Sequence, residues 1–192
     1  QPLPKGPSVL VLTTAGGWGV VAADAISQSS ELVLTPLPSD LKETINKLLP
    51  PRWSKNNPID LAGGETRDTI PELLSIASKH PEIDSIIQLG LGIQGNTANL
   101  VKNGKFYPEH GLERIVNFHE RQEERYAEAS VEASLASGKP ILVASELATT
   151  QPNNPMVRNI RDSNRLCYAS ANRAVSALNH LVRYSSWRNQ SN

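Results

Sequence analysis

Apolar and polar positions follow two different periods along this chain, and the switches between them mark out its elements. Ser8 to Thr13 (SVLVLT) is continuously apolar and β-branched, the pattern of a strand buried on both faces of a parallel sheet. Gly16, Gly17 and Gly19 break that run, and Val20 to Ile26 predicts the first helix. Glu31 to Leu34 reads as a short second strand. Ser39 is placed to cap a helix reaching about Leu49, with Leu41, Ile45 and Leu48 on one face, and Pro50 and Pro51 end it. Arg52 to Gly64 has the turn formers of a structured loop, after which Thr66 or Asp68 caps a helix carrying Ile70, Leu73, Leu74 and Ala77.

The second half repeats the alternation. Asp84 to Leu89 predicts a third strand, and Gly90 to Pro108 is a glycine- and asparagine-rich loop. A long helix is expected from Gly111 to Ser137, with Leu112, Ile115, His119, Gln122, Tyr126, Ala129 and Ala133 at core-facing spacing. Lys139 to Ser145 predicts a fourth strand, Pro155 to Asp162 a short helix and Leu166 to Tyr168 a brief fifth strand. Asn172 to Tyr184 closes as a helix whose apolar face is Ala174, Leu178, Leu181 and Val182. Strands alternating with helices require right-handed crossovers and a sheet covered on both sides. The predicted class is therefore α/β, a flavodoxin-like three-layer fold with a five-stranded parallel sheet in the order 2-1-3-4-5. Residues 1–7 have the composition of a linker, 8–186 form the domain, and 187–192 are a tail.

Composition narrows the partners. The 19 basic and 19 acidic residues cancel, so no net field favours nucleic acid or an anionic membrane surface. No run approaches the roughly 20 apolar residues of a spanning helix. Cys167 is the sole cysteine, which excludes an internal disulfide and suits a reducing, cytoplasmic setting.

In open sheets of this class ligands sit beyond the carboxyl ends of the strands, at the point where strand order reverses, which falls beside the first strand. The segment Thr13, Thr14, Ala15, Gly16, Gly17, Trp18, Gly19 ends that strand and opens a helix, so unpaired amides and the helix dipole face an incoming phosphate. The same glycines equally serve a tight strand-to-helix turn, since the segment is neither GxGxxG nor a Walker motif. Asn57 and Asp60 lie in the loop after the second helix, where Asp60 either orients a side chain or caps the next helix. Glu146 follows the fourth strand, placed to meet a histidine or cation near the phosphate or simply to face solvent. His80, His110, His119 and His180 form no HExxH pair and no ligand spacing with Cys167, so no metal site is expected. Ser145 and Ser170 lack a GxSxG elbow, and no catalytic set is visible. Glu120, Glu124, Glu128 and Glu132 form an acidic stripe expected to be solvated.

Four segments in order, VLTTAGGWGVVAADAI, LLPPRWSKNNPIDLAGG, GKPILVASELA and RLCYASANRAVSALNHLVRY, resemble the succinyl-CoA-synthetase-like flavodoxin domain of NDP-forming acyl-CoA synthetases, the family of ADP-forming acetate–CoA ligase. The resemblance runs from about Ser8 to Tyr184. It implies a role in interconverting acid, CoA and NTP with acyl-CoA, NDP and phosphate through a phosphohistidine supplied by another domain. It also implies partners: a CoA-binding domain, a phosphohistidine-bearing domain and an ATP-grasp pair, fused or separate. On this reading the chain binds no cofactor alone, CoA, ATP or ADP and Mg belong to the complete enzyme, and the isolated chain is inactive. Thr13 through Gly19 inherit the phosphohistidine-facing role, with Asn57, Asp60 and Glu146 in support.

Two alternatives use the same residues. An FMN-binding electron-transfer module would hold its phosphate at this turn with Trp18 near the ring, and an interaction module would only dock other subunits. The stretch Gly95 to His110, with Phe106, Tyr107 and Pro108, exceeds the shortest form of the fold and is either a subfamily insertion or a partner contact.

Overall fold

Six consecutive residues with no charge, Ser8–Thr13, form β1, and all but the first are buried. The computed structural model describes residues 1–64 and 66–190. After β1 come α1 (Gly16–Ser27), β2 (Val33–Leu34), α2 (Ser39–Leu48), β3 (Ile59–Asp60), α3 (Thr69–Lys79), β4 (Ser85–Leu89) and α4 (Ile93–Lys102). The chain continues with α5 (Leu112–Ser137), β5 (Ile141–Ala144), α6 (Leu147–Thr150), α7 (Pro155–Asp162), β6 (Cys167–Tyr168) and α8 (Ala171–Gln190).

The strands are all parallel, in the order β2-β1-β4-β5-β6, with β3 also on β1. The expected order therefore stands, and a sixth strand is added to the five. The loop residues Ile59 and Asp60 become β3 because the β1–β2 pairing covers only Ser8 and Val9, leaving the far end of that edge free to take them opposite Leu12 and Thr13.

Alternation along each strand divides the core in two. Leu10, Leu12, Ile86, Ile141 and Val143 point to one face, under α2, α3, α5 and α7. Val9, Val11, Ile87, Leu89, Leu142 and Ala144 point to the other, under α1 and α8. Helices on both faces explain why these strands are apolar throughout rather than alternating with polar residues.

Several boundaries depart from expectation. Helix α1 starts at Gly16 rather than Val20, so all three turn glycines lie within its first four residues. The loop expected over 90–108 contains α4, whose amides at Gly92 and Gly95 are accepted by the buried Glu123 carboxylate, support that glycine-rich sequence does not advertise. On α5 the buried face is Val116, Gln122, Glu123, Tyr126, Ala127, Ser130, Ala133 and Ser134, while Ile115 is exposed. The face is wide because α3, α4 and α7 all pack on this helix, and its small polar residues find partners, as in the 2.7 Å bond from Ser134 Oγ to Lys139 O. Three members of the acidic stripe bond neighbouring helices, while Glu132 is exposed as expected. Glu120 pairs with Lys102 at 2.6 Å, Glu124 with Arg158 at 2.7 Å, and Glu128 accepts from Asn159 at 3.3 Å, tying α5 to α4 and α7.

At the termini, Pro4 O accepts from Ser185 Oγ at 2.7 Å and Gln1 Nε2 donates to Ile141 O at 3.1 Å, so residues expected as a linker lie along the domain. Helix α8 runs to Gln190, four residues into the expected tail, and 191–192 fall outside the described residues. Among the described residues no helix is long and apolar enough to cross a membrane.

Between the short β2 and β3 ladders, the side chain of Asn57 completes the edge of β1. Its Oδ1 accepts from Val11 N at 2.9 Å, and its Nδ2 donates to Val9 O and Thr35 O, both at 2.8 Å. All of these groups are buried; Val9 O keeps a bond from Thr35 N at 3.2 Å, so removing the amide strands one donor, Val11 N, and one acceptor, Thr35 O. Asn57→Ala is expected to cost about 3 kcal/mol of stability or more, read as a lowered urea midpoint at unchanged m-value; a loss below about 1 kcal/mol would remove this role from the amide.

Candidate functional site

The carboxyl ends of β1, β3 and β4 meet at one edge of the sheet. There the chain leaves β1 through Thr14 and Ala15, the latter extended at φ −136° and ψ 106° as the N-cap of α1. Thr13 is fully buried, and its hydroxyl is used inside the turn: Oγ1 donates to Ala15 O at 2.8 Å and accepts from Ala15 N at 3.0 Å. Thr14 Oγ1 donates to Gly90 O at 2.8 Å, locking the turn after β1 to the turn after β4. Neither hydroxyl is left to meet a ligand unless these bonds open. Trp18 N and Gly19 N both donate to Ala15 O, at 3.1 and 3.4 Å. The amides that remain for an outside acceptor are the two that open the helix, on Gly16 and Gly17.

The two glycines differ. A methyl group on Gly17 would meet nothing within 4 Å, whereas one on Gly16 would come within 2.5 Å of Asp60 Oδ2. The β3 pairing delivers Asp60 to this position, where its Oδ1 also accepts from Ala62 N at 2.9 Å. Its carboxylate therefore stands beside the positive end of α1 as a fixed acceptor and a neighbouring negative charge. Gly19 is buried against Thr13 and Pro58, where a Cβ would meet them at 3.0 and 3.3 Å. Trp18 packs, partly buried, on the core beneath α1 and α8.

The supporting residues separate. Asn57 acts through the sheet, its amide spent on β1 and Thr35. Glu146 is exposed at the start of α6, past β5 and two strands away from β1. Ser145 and Ser170, the two serines with catalytic appeal, have hydroxyls that accept from Leu147 N and Arg173 N, both at 3.3 Å, as local caps. His119 is partly buried and bonds Gln94 Oε1 through Nδ1. Among the described residues no three His, Cys, Asp or Glu side chains gather as a metal-binding group.

Sequence reasoning missed Glu123. Its carboxylate is 1% exposed and accepts from Gly92 N at 2.7 Å and Gly95 N at 3.1 Å, closing the N-terminus of α4. Burial pushes its pKa above the ordinary 4.5, with the backbone bonds opposing that rise. With Thr14, Gly90, Gln94 and Tyr126 it lines a hollow of about 60 Å³ next to the glycine turn. The one available signal was its place beside Gln122, a position at core-facing spacing on the long helix.

Residues 9–101 match the Ligase-CoA domain family. That span runs from β1 almost through α4 and includes the glycine turn, Asn57 and Asp60. The chain is 28% identical over 89 residues to 4-hydroxybutyrate–CoA ligase [ADP-forming] of Nitrosopumilus maritimus, a match covering 46% of this chain and 12% of that protein. It is 33% identical over 89 residues to acetate–CoA ligase [ADP-forming] II subunit alpha of Pyrococcus furiosus, covering 46% of this chain and 19% of the subunit. The chain thus corresponds to a small part of the length of these relatives. The dinucleotide-forming acetyl-coenzyme A synthetase 1 of Ca. Korarchaeum cryptofilum, solved in complex with phosphate and ADP, superposes with a TM-score of 0.66 at 25% identity. That likeness covers 100% of this chain and 35% of the synthetase. The fold likeness thus extends through α5–α8, beyond the end of the family match, and the chain resembles the Ligase-CoA domain of ADP-forming acyl-CoA synthetases.

Two measurements check the chemistry of this edge. Because the folded-state pKa of Glu123 is raised, its contribution to stability is complete below 4.5 and is lost as pH rises through the folded value. The stability of the native chain minus that of Glu123→Gln should therefore fall over that window and then level; a difference independent of pH would contradict the shift. The Cys167 thiol, pushed up to about 12 by burial, should resist iodoacetamide at pH ~8 in the folded chain and react promptly in urea. Equal rates in the two states would contradict its burial.

Proposed function

We propose that this chain is the phosphoryl-stabilising, flavodoxin-like part of an NDP-forming acyl-CoA synthetase, acting on a phosphohistidine supplied by another domain. The observation that carries the reading is the open first turn of α1, where the Gly16 and Gly17 amides lack intrahelical acceptors and Gly17 has free space before it, within the span that matches the Ligase-CoA domain. The activities named for the relatives, ADP-forming ligation of acetate or 4-hydroxybutyrate to CoA, supply the reaction class.

A phosphoryl group carried on an imidazole is a bulky anion that needs donors aimed at its oxygens and no hydroxyl or thiol able to accept it. Two helix-opening amides and the α1 dipole meet the first need. Engaging the Thr13 and Thr14 hydroxyls inside the turn meets the second. Asp60, beside Gly16, is positioned to accept from the other imidazole nitrogen and hold the ring in one orientation. The chain itself contributes positioning and electrostatics and no covalent step. CoA, the reacting nucleotide and the histidine come from the CoA-binding, ATP-grasp and phosphohistidine domains of the complete, cytoplasmic enzyme.

The test is an amide NMR titration of the chain with inorganic phosphate, against chloride at matched ionic strength, following Thr13 to Val20. Selective shifts at Gly16 and Gly17 are expected, and Gly17→Leu should abolish them without lowering the urea midpoint. Asp60→Asn removes the adjacent negative charge while keeping the acceptor for Ala62 N, so phosphate should bind about threefold more tightly or better. Shifts that survive Gly17→Leu, or appear everywhere except 13–20, would overturn the reading.

A further inference from the structure

A second concave surface lies apart from the glycine turn. It is a cleft of about 500 Å³ between the segment before α3 and the first turns of α5, lined by Arg67, Glu113, Arg114, Asn117, Phe118, Arg121, Gln122 and Arg125. Helix α5 runs antiparallel to the strands: Ser134 Oγ reaches Lys139 before β5, Ser130 meets Gln88 within β4, and Glu123 meets Gly92 beyond its end. The turns over 112–122 therefore project about 16 Å past the carboxyl edge of the sheet, at ~1.5 Å per residue. The cleft sits at the end of the fold where ligands bind.

Its charge is unbalanced and its frame is anchored. Arg125 is paired with Asp68. Among the described residues no carboxylate pairs with the guanidinium of Arg67, Arg114 or Arg121, and Glu113 is the only acid lining the cleft. These arginines come from two separate segments of a chain whose formal net charge is zero. The Arg67 backbone is pinned because Gln122 Nε2 donates to Arg67 O at 2.9 Å, and Tyr126 Oη donates to Thr66 O at 3.1 Å. Among these cations Phe118 is 57% exposed, its ring in a T-shaped contact with His119 at 5.6 Å between centroids.

We propose that this cleft binds a polyphosphate attached to a planar heterocycle, the chemistry of a nucleoside diphosphate or triphosphate. Planar guanidiniums bond phosphate oxygens in pairs, which suits several phosphates in a row better than a single carboxylate. The exposed Phe118 side chain provides apolar aromatic surface for the base, and the cleft has the size of a small-molecule site. The inference is independent of the glycine turn, whose amides lie beside β1 rather than on α5.

Calorimetry on the full chain with ADP, pyrophosphate and adenosine tests it, with amide shifts over 113–125 locating the ligand. ADP should bind with a Kd in the millimolar range or tighter, pyrophosphate about as well or somewhat more weakly, and adenosine far more weakly. Arg114→Gln combined with Arg121→Gln should weaken ADP by about tenfold or more at an unchanged urea midpoint, since both side chains are exposed. Phe118→Leu should weaken ADP about fivefold and leave pyrophosphate unchanged. Glu113→Gln should strengthen both. Gly17→Leu should leave ADP binding intact, which separates this site from the phosphate reading of the turn. The proposal is overturned if ADP at about 5 mM moves no resonance in 113–125, if the double arginine variant binds as before, or if Gly17→Leu removes binding. Pyrophosphate binding with no loss of ADP in Phe118→Leu would overturn the stacking half and leave a phosphate site alone.

Discussion

The site depends on a divided edge of β1. A central strand in a covered sheet must satisfy its backbone on both sides, and β4 does this along one side by pairing with every residue from Val9 to Thr13. On the other side β2 takes only the start and β3 only the end, and the Asn57 side chain bridges the gap at Val9 and Val11. Because β3 is held there, Asp60 arrives beside Gly16. A hydrogen-bonding requirement deep in the sheet thus places an acid at the mouth of α1.

A buried carboxylate organises the neighbouring edge. Glu123 reaches from α5 to the first amides of α4, and Asn154 Nδ2 donates to Gly92 O at 3.0 Å from the other side. Burying a carboxylate is costly, which is why its pKa rises, but backbone donors offset part of that cost and fix where α4 begins. The turn after β4 then bonds Thr14, so the segments leaving β1 and β4 are joined. The same long helix carries the arginine cleft beyond the sheet, so α5 links the core, the glycine-turn edge and the cleft.

Much of this was legible because burial leaves a strong signature. Both-face burial made β1, β4 and β5 read as apolar runs, and the spacing of apolar residues located α2, α3, α7 and the start of α8 within a few residues, while α8 runs six residues past its expected end at Tyr184. The glycine turn was visible as a break between strand and helix. What stayed hidden had no local signal. Helix α4 is weak by propensity and is held by a partner 31 residues later, β3 is two residues whose pairing is long-range, and Glu120 and Glu124 of the acidic stripe found their cations on other helices. The roles of Asn57 and Glu146 diverged for the same reason: both are polar residues in loops, and only the strand arrangement puts one inside the sheet and leaves the other exposed.

The sequence by itself determined the layered α/β class, the strand order and the position of the glycine turn, because periodicity and chain breaks are local consequences of which faces are buried. Tertiary structure alone decided which amides of that turn remain open, which acid stands beside them, and which arginines share a cleft. Those properties depend on contacts between segments tens of residues apart, set by packing and by the demand that buried polar groups find partners.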